Sequence, residues 1–399
     1  MRNSGIKVLT AFLVLCFFCL SSFSDTFTHH ESGEVLHGYA TSRNEGGKTV
    51  VHTEEKGEVK LSLIEWQVSR DRLGRNNKVV VLPLDGEIAF EIETEALEQA
   101  VARISDEGPL FILLEIDTPG GRDDLTYRVC GAIMNACTCP VVAFIKGGRY
   151  GGALSAGAAV ALACDKIYMS SNTVIGAATM IAIGETGPKD LKEMYGEALG
   201  EKFSSAWQAK LASLAERQGR PGLMARAMVE RDLEVVEVAE ANNGRWFINP
   251  VDKRPRQRLV RTWSKKGSLL TLTATEAVQC GIADKAGESR AEVLGDLGAA
   301  DAEVAINNNM QKARVELKRA RGQLNRIRKS IDFKIKQSEH PQPLYKVLKI
   351  LRTAKSEFKI LIRLARKYPD LGLDIQQLEE ELNSIEANYE KIKMGSRRR

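Results

Sequence analysis

The sequence has very little histidine, and where the histidines lie excludes one class of catalytic site. The five are His29, His30, His37, His52 and His340, so none lies between residues 53 and 339. A Ser-His-Asp triad within that stretch is excluded, because no imidazole is present there to act as the base. The remaining side chain that could take a proton from a serine is lysine, provided that burial lowers the pKa of its amine.

Cysteine is also sparse, and its spacing does not indicate a metal site. Seven are present, and the five beyond the N-terminal segment are Cys130, Cys137, Cys139, Cys164 and Cys280. They are odd in number, contain no CxxC pair and have no histidine nearby, which argues against zinc. A disulfide from Cys130 to Cys137 or Cys139 stays open, although buried thiols serving as small apolar residues are the favoured interpretation.

The sequence lacks a phosphate-binding loop and any long apolar run after its first 20 residues. Without a GxxxxGK[ST] motif no ATP-driven machinery is encoded, and no cofactor is expected. Arg2 and Lys7 precede the apolar run 8–20, and small residues at Ser22 and Ser24 follow it. This pattern predicts an export signal over 1–24, cleaved near Ser24, and an exported, periplasmic or membrane-associated protein. An uncleaved membrane anchor is the alternative.

The remaining chain divides into three parts by composition. Residues 25–76 are polar with short apolar alternation, which indicates a linker or a weak β element. Residues 77–295 alternate apolar strands, such as 78–88, 109–117 and 140–147, with amphipathic helices of 12 to 16 residues, such as 93–108 and 125–137. Strands and helices that alternate in this way predict an α/β fold with a parallel sheet.

Residues 300–399 have a different pattern, with apolar residues spaced by three and four along three segments. The segments are broken at "EHPQP" and "YPDLG", so a basic helical hairpin or coiled-coil bundle is predicted. The apolar stripes would serve packing within the chain or association with a coiled-coil partner. The many Lys and Arg residues indicate a solvated face, and no nucleic acid is expected because aromatic residues do not interleave with them.

One serine stands within an unusual run of small residues, "GGALSAGAAVALAC" (151–164). Ser155 is predicted to lie near the start of a helix, where the helix dipole favours developing negative charge. The glycine-containing segments "DTPGG" and "GGRYGG" each follow a predicted strand, at the sheet edge where ligands bind in parallel α/β folds. Together these features are typical of a nucleophile with an oxyanion hole made of backbone amides. Asp117 is interpreted as a turn-former before Pro119.

Small residues around the serine leave room for a substrate, so Gly151, Gly152 and Leu154 are predicted to line its approach, with Leu154 narrowing the entry. The candidates for the base are Lys202 and Lys210, on the helix that follows the next glycine-containing loop. Spacing alone does not choose between these two lysines.

From about residue 78 to 290 the chain resembles the Clp-protease/crotonase fold. It is most similar to the exported serine peptidases of the NfeD type, known as stomatin-specific proteases, which are related to signal-peptide peptidase A. The motifs that carry the resemblance are "VVVLPLDGEI", "LLEIDTPGG", "SAG", "VALACDKIYMSSNTVIGAA", "SLAERQGR" and "LTLTATEAVQCGIAD", in the family's order. The family's C-terminal membrane helices and β-barrel have no counterpart, since the helical segments stand in their place.

The resemblance implies an ATP-independent serine endopeptidase that cleaves peptides or membrane-associated proteins and forms a homo-oligomer. It makes Ser155 the nucleophile and, counting back from "SLAERQGR", Lys202 its base, with Lys210 as the alternative. The amides of Gly120, Gly121 and Ala156 would form the oxyanion hole. Two other functions stay open: an acyl-CoA hydratase of the crotonase type, and a catalytically inactive scaffold whose helical part binds partners.

Overall fold

The computed structural model describes residues 25–53, 55–69, 76–136, 139–184, 187–240 and 244–397. The predicted export signal and Cys137 lie outside these residues. The chain forms two compact units, one containing residues up to 89 together with 97–308, and one containing 90–96 and 309–399. Within the described ranges, no helix combines the length and the apolarity that crossing a membrane requires.

The first unit begins with an antiparallel sheet, in the region for which the sequence left open a linker or a weak β element. Its strands, in the order β4-β3-β2-β1-β5, are β1 (Asp25–His29), β2 (Val35–Glu45), β3 (Lys48–Thr53), β4 (Gly57–Leu61) and β5 (Trp66–Ser69). Burial alternates at the start of β1, as expected for a sheet with one covered face, whereas three consecutive residues of β3 are buried. The buried cluster is formed by Phe27, Leu36, Ala40, Val51, Leu61 and Trp66.

The rest of the first unit contains fourteen described strands and eight described helices, the first of which has its residues 91–96 in the second unit. The strands are β6 (Asn76–Asp85), β7 (Pro109–Asp117), β8 (Val141–Ile145), β9 (Gly152–Leu154), β10 (Lys166–Met169), β11 (Val174–Gly176), β12 (Ile181–Gly184), β13 (Gly187–Asp190), β14 (Val235–Ala239), β15 (Arg245–Ile248), β16 (Arg258–Ser264), β17 (Thr271–Thr273), β18 (Lys285–Ala286) and β19 (Glu303–Ile306). The helices are α1 (Glu91–Glu107), α2 (Asp123–Met134), α3 (Ala156–Ala163), α4 (Leu191–Tyr195), α5 (Glu197–Arg217), α6 (Gly222–Ala227), α7 (Ala274–Gln279) and α8 (Arg290–Asp296).

A six-stranded parallel sheet in the order β18-β10-β8-β7-β6-β19 forms the centre of this unit. Strand β7 is buried along nearly its whole length, as its unbroken apolar run predicts for a strand covered on both faces. The predicted α/β fold with a helical C-terminal region is therefore confirmed. A second sheet, β17-β11-β9, carries the residues before Ser155. The start of the small-residue run, for which a helix was predicted, is thus strand β9.

The second unit contains three long helices, α9 (Asn309–Glu339), α10 (Leu344–Lys367) and α11 (Ile375–Arg397). They end and begin at the two sequence breaks, and a short 3-10 turn at Pro369–Leu371 precedes α11. Apolar side chains from all three helices pack together; the buried ones are Leu324, Ile331, Leu351, Phe358, Leu361, Ile362, Ala365, Leu378 and Ile385. Leu344, which the spacing placed on the packed face, is exposed at the start of α10.

Two phenylalanines of this unit provide a matched test of the packing. Phe358 is 4% exposed and Phe333 is 67% exposed. We expect Phe358→Ala to lower the free energy of unfolding by about 3–5 kcal/mol, because it removes buried apolar surface and leaves a cavity. Phe333→Ala should change it by no more than about 0.5 kcal/mol. Urea denaturation followed by circular dichroism measures both, and equal effects would contradict the packing described.

Candidate active site

Ser155 lies at the turn between β9 and α3 in a backbone conformation that side chains rarely adopt. Its φ is 54° and its ψ is −117°, and Ala177 is the one other described residue besides glycine with a positive φ. Such a conformation costs about 1–3 kcal/mol and persists only when the surroundings impose it. Here the Ser155 amide donates to the Gly176 carbonyl at 2.9 Å, which ties the turn to β11.

The Ser155 hydroxyl is half-buried and, in the described part of the chain, has no hydrogen-bond partner. It does not cap α3, although it occupies the position before the first helical residue. The amides at the start of a helix have no partner within that helix, so they create a partial positive charge beside the hydroxyl. The Ser155 side chain therefore contributes no hydrogen bond to holding the start of the helix.

The backbone of Gly120 passes directly against Ser155, which brings two of the predicted site segments together. A Cβ at Gly120 would lie 2.6 Å from Ser155 Cβ, 3.0 Å from Ser155 Oγ and 3.3 Å from the Ala156 nitrogen. Its φ of 117° is also one that favours glycine. Gly120 is required because no side chain fits between this segment and the serine.

One of the three predicted oxyanion-hole amides already has a hydrogen-bond partner in the structure. The Gly120 amide donates to Thr118 Oγ1 at 3.1 Å, so it is already engaged. Gly121 forms a parallel β-bridge with Ile88. In this bridge Ile88 makes backbone hydrogen bonds to the two neighbours of Gly121, which are Gly120 and Arg122. The Gly121 amide therefore points away from Ile88. Gly121 and Ala156 are the two amides of the predicted set that stay available to an oxyanion.

Asp117 does more than form the turn that the sequence suggested. Its buried carboxylate accepts hydrogen bonds from the Tyr150 amide at 3.1 Å and the Gly152 amide at 3.2 Å. It thereby fixes the "GGRYGG" segment, with Gly148 closely packed against the carboxylate. The sequence carried a weak signal for this role, since a loop of consecutive glycines presents backbone N–H groups that need an acceptor.

Gly151, Gly152 and Leu154, predicted to line the approach of a substrate, are held in sheet hydrogen bonds. The Gly151 carbonyl accepts from Val174 at 3.1 Å, and the Gly152 carbonyl accepts from Thr118 at 2.9 Å. The Leu154 amide donates to the Thr118 carbonyl at 3.1 Å. The backbone of these residues fixes the position of Ser155, and the Leu154 side chain is half-buried beside it.

The small residues of α3 are explained by close packing. A Cβ at Gly157 would collide with the methyl group of Thr118, and all eight residues of α3 are buried. Helix α3 packs against both α2 and α5. Small side chains therefore let the helix lie close to the strand that carries the glycine segment.

The two predicted base residues lie on α5, which is anchored by Trp207. Trp207 Nε1 donates to the Ala178 carbonyl at 2.8 Å. Lys202 is exposed on a helix face that also presents Leu199 and Phe203, which are 50% and 44% exposed. Lys210 is half-buried, with its Nζ 5.6 Å from the centre of the Tyr127 ring. The structure brings neither amine within hydrogen-bonding distance of Ser155 Oγ.

The described cysteines are buried and form no disulfide with one another. They are Cys130, Cys139, Cys164 and Cys280. Burial raises the pKa of Cys130 to about 12 and that of Cys280 to about 11, so both stay protonated at neutral pH. No group of three His, Cys, Asp or Glu side chains among the described residues is arranged to hold a metal.

Three solved structures similar to this chain are two of the protease 1510-N and one of ClpP1. The 1510-N membrane-bound stomatin-specific protease is 20% identical, with a TM-score of 0.43, over 58% of this chain and 98% of that one; a further structure of 1510-N is assigned to Pyrococcus horikoshii. ClpP1 from Listeria monocytogenes is 17% identical, with a TM-score of 0.32, over 54% of this chain and 95% of that one.

Comparison of sequences identifies one curated relative and one family model that match this chain. The Membrane protein NfeD1b of Bacillus subtilis (strain 168) is 25% identical over 245 residues, which are 61% of this chain and 46% of the relative. The chain thus spans about half the length of this curated relative. Residues 78–248 match the family model described as NfeD1b, N-terminal domain. The resemblance of the α/β region to the NfeD-type family is therefore confirmed.

Proposed function

We propose that the α/β region is an ATP-independent serine endopeptidase with Ser155 as its nucleophile. The observation that carries this proposal is the half-buried Ser155 hydroxyl, which has no hydrogen-bond partner among the described residues. It stands on a strained backbone and lies against Gly120 at the start of α3. A hydroxyl held in this way suits attack on a carbonyl beside preorganised amides.

In the proposed reaction Ser155 Oγ attacks the carbonyl carbon of a peptide bond and its proton passes to a lysine amine. The negative charge that develops on the carbonyl oxygen is stabilised by the amides of Gly121 and Ala156. Collapse of this intermediate breaks the C–N bond, and the lysine returns the proton to the leaving amine. Water then releases the acyl group from Ser155 by the same route.

We propose Lys202 as the base, because counting back from the "SLAERQGR" motif gives it this role in the family that the chain resembles. Lys210 is the alternative. Lys202 is exposed to water, so its use as a base requires a group that covers it. Leu199 and Phe203 flank it on one helix face, and Tyr195 packs edge-on against Phe203 at 6.0 Å. An apolar segment of a substrate bound over this face would exclude water from the amine and lower its pKa.

The proposed substrates are peptides or membrane-associated proteins, and the proposed setting is an exported homo-oligomer. Exposed apolar side chains near the start of α5 suit a partner of this kind; they are Ile181, Met194, Tyr195, Leu199 and Phe203. A hydratase function is less well supported, because the Asp117 carboxylate is occupied by loop amides and so is not free for acid–base work. If Ser155 does not react in the labelling experiment described next, the α/β region is an inactive scaffold.

Labelling with a fluorophosphonate probe tests the nucleophile. We expect the protein to react covalently with the probe and Ser155→Ala to abolish labelling, because the probe forms a bond to an activated serine oxygen. Ser213→Ala, which changes an exposed serine of α5, is the matched control and should label normally. Unlabelled wild-type protein, or labelling that survives Ser155→Ala, would contradict the assignment.

Substitution of three lysines tests the base. Lys202→Ala should lower kcat for peptide hydrolysis by about 100-fold or more, since a positioned general base contributes about that much. Lys202→Arg should not restore it, because a guanidinium does not give up its proton. Lys192→Ala is the control, since that lysine is paired with Glu197 and Glu201. A full loss in Lys210→Ala with activity retained in Lys202→Ala would reassign the base.

The pH dependence separates a lysine base from a histidine. We expect kcat/KM for peptide hydrolysis to rise from about pH 7 to about pH 9 or beyond, because only the neutral amine accepts the proton of Ser155. A histidine base would give a plateau from about pH 7.5 upward. Rates measured across this range with one fluorogenic peptide decide the point, and a plateau near neutral pH would exclude lysine.

A further inference from the structure

We infer that Asp370, in the turn before α11, is a positioning residue for the glycine segment beside Ser155. The inference rests on the proposed function, because the segment it positions supplies the proposed oxyanion-hole amide. Asp370 lies in the second unit, which also contains the start of α1 at residues 90–96.

Asp370 caps α1 from a distant part of the sequence. Its Oδ1 accepts from the Glu91 amide at 2.7 Å and its Oδ2 accepts from the Ile92 amide at 3.0 Å. The first amides of a helix need an acceptor, which is usually a polar side chain just before the helix. Ala89 and Phe90 stand there and have none to offer. The carboxylate of Asp370, 279 residues away from Glu91, takes this role.

Further contacts within the second unit hold the same helix start. Glu93 is 2% exposed and forms a two-pronged ion pair with Arg314, with Nε–Oε1 at 2.8 Å and Nη2–Oε2 at 2.6 Å. A buried carboxylate paired in this geometry fixes both partners in orientation as well as position. Phe90 and Ile92 pack against an apolar cluster formed by Leu317, Ala320 and Tyr368. Residues 90–93 are therefore fixed by backbone, charged and apolar contacts together.

Ile88, two residues before Phe90, fixes the glycine segment on the other side. Its amide donates to the Gly120 carbonyl at 2.9 Å and its carbonyl accepts from the Arg122 amide at 2.9 Å. A side chain at Gly121 would collide with the Ile88 carbonyl, so the two backbones are in direct contact. The chain between Ile88 and Phe90 spans at most about 7 Å. A shift of the α1 start is therefore passed to Gly120 and Gly121.

Such a shift would act on the rate of the chemical step more than on binding. A misplacement of about 1 Å at a catalytic group can cost about 100-fold in rate. The Gly121 amide would lose alignment with a developing oxyanion, while the surface that binds the rest of the substrate stays unchanged. A reduced kcat with a nearly constant KM is the expected signature.

Two aspartates four residues apart provide the test in the whole chain. Asp370→Ala removes the cap of α1, and Asp374→Ala removes a cap of α11, where Asp374 accepts from the Gln377 amide at 3.1 Å. We expect Asp370→Ala to lower kcat about tenfold or more, with KM changed less than about twofold. Asp374→Ala should leave both unchanged. Asp370→Asn keeps an oxygen acceptor and should recover part of the loss. Thermal denaturation checks that the two alanine variants are comparably folded.

Hydrogen–deuterium exchange, measured in a Ser155→Ala background, gives a readout that does not depend on activity. We expect Asp370→Ala to speed exchange in segments 86–92 and 117–122, whereas Asp374→Ala does so in neither. Equal kinetic effects of the two alanine variants, or unchanged exchange in 117–122, would overturn the inference. If the wild-type protein has no peptidase activity but the exchange result holds, the proposed function fails and the positioning contact stands.

Discussion

The absence of a side chain at Gly120 is the constraint on which the arrangement around Ser155 depends. A single methyl group there would meet the serine Cβ at 2.6 Å, so the strand carrying "DTPGG" could not lie against the turn before α3. The glycine is held from both sides, by Thr118 Oγ1 at its amide and by Ile88 at its carbonyl. Backbone geometry thus places the candidate nucleophile and oxyanion amides, and side chains play a supporting part.

The backbone strain at Ser155 is tolerated because the residues that follow it are buried and its amide is hydrogen-bonded to Gly176. A cost of about 1–3 kcal/mol is large against a net stability of about 5–15 kcal/mol for a typical domain. Helix α3 offsets it by burying all of its residues, and full burial of a side chain such as Val160 or Leu162 stabilises by about 1.5–3 kcal/mol. Removing the serine side chain leaves these contacts in place, so folding and reactivity are separable at this position.

Patterns in the sequence predicted those features of the structure that depend on residues close together along the chain. The apolar run of β7, the helix breaks near Pro341 and Pro369, and the position of Ser155 just before a helix all follow from nearest neighbours along the chain. The five-stranded N-terminal sheet was left open because its apolar alternation is short and its order, with β1 between β2 and β5, joins distant residues. The engagement of the Gly120 amide could not be predicted, and the acceptor role of Asp117 had only a weak signal, because each depends on which groups meet in three dimensions.

In the proposed chemistry, the nucleophile with its oxyanion amides and the lysine base are held in different ways. The nucleophile and the amides of Gly121 and Ala156 are fixed by the folded backbone before any substrate arrives. Lys202, by contrast, is exposed on α5, next to Glu201, which pairs with Lys192 at 2.9 Å. A charged amine in water does not act as a base, whereas the same amine beneath an apolar segment can. In the proposed mechanism the site is therefore complete only when an apolar segment covers that helix face.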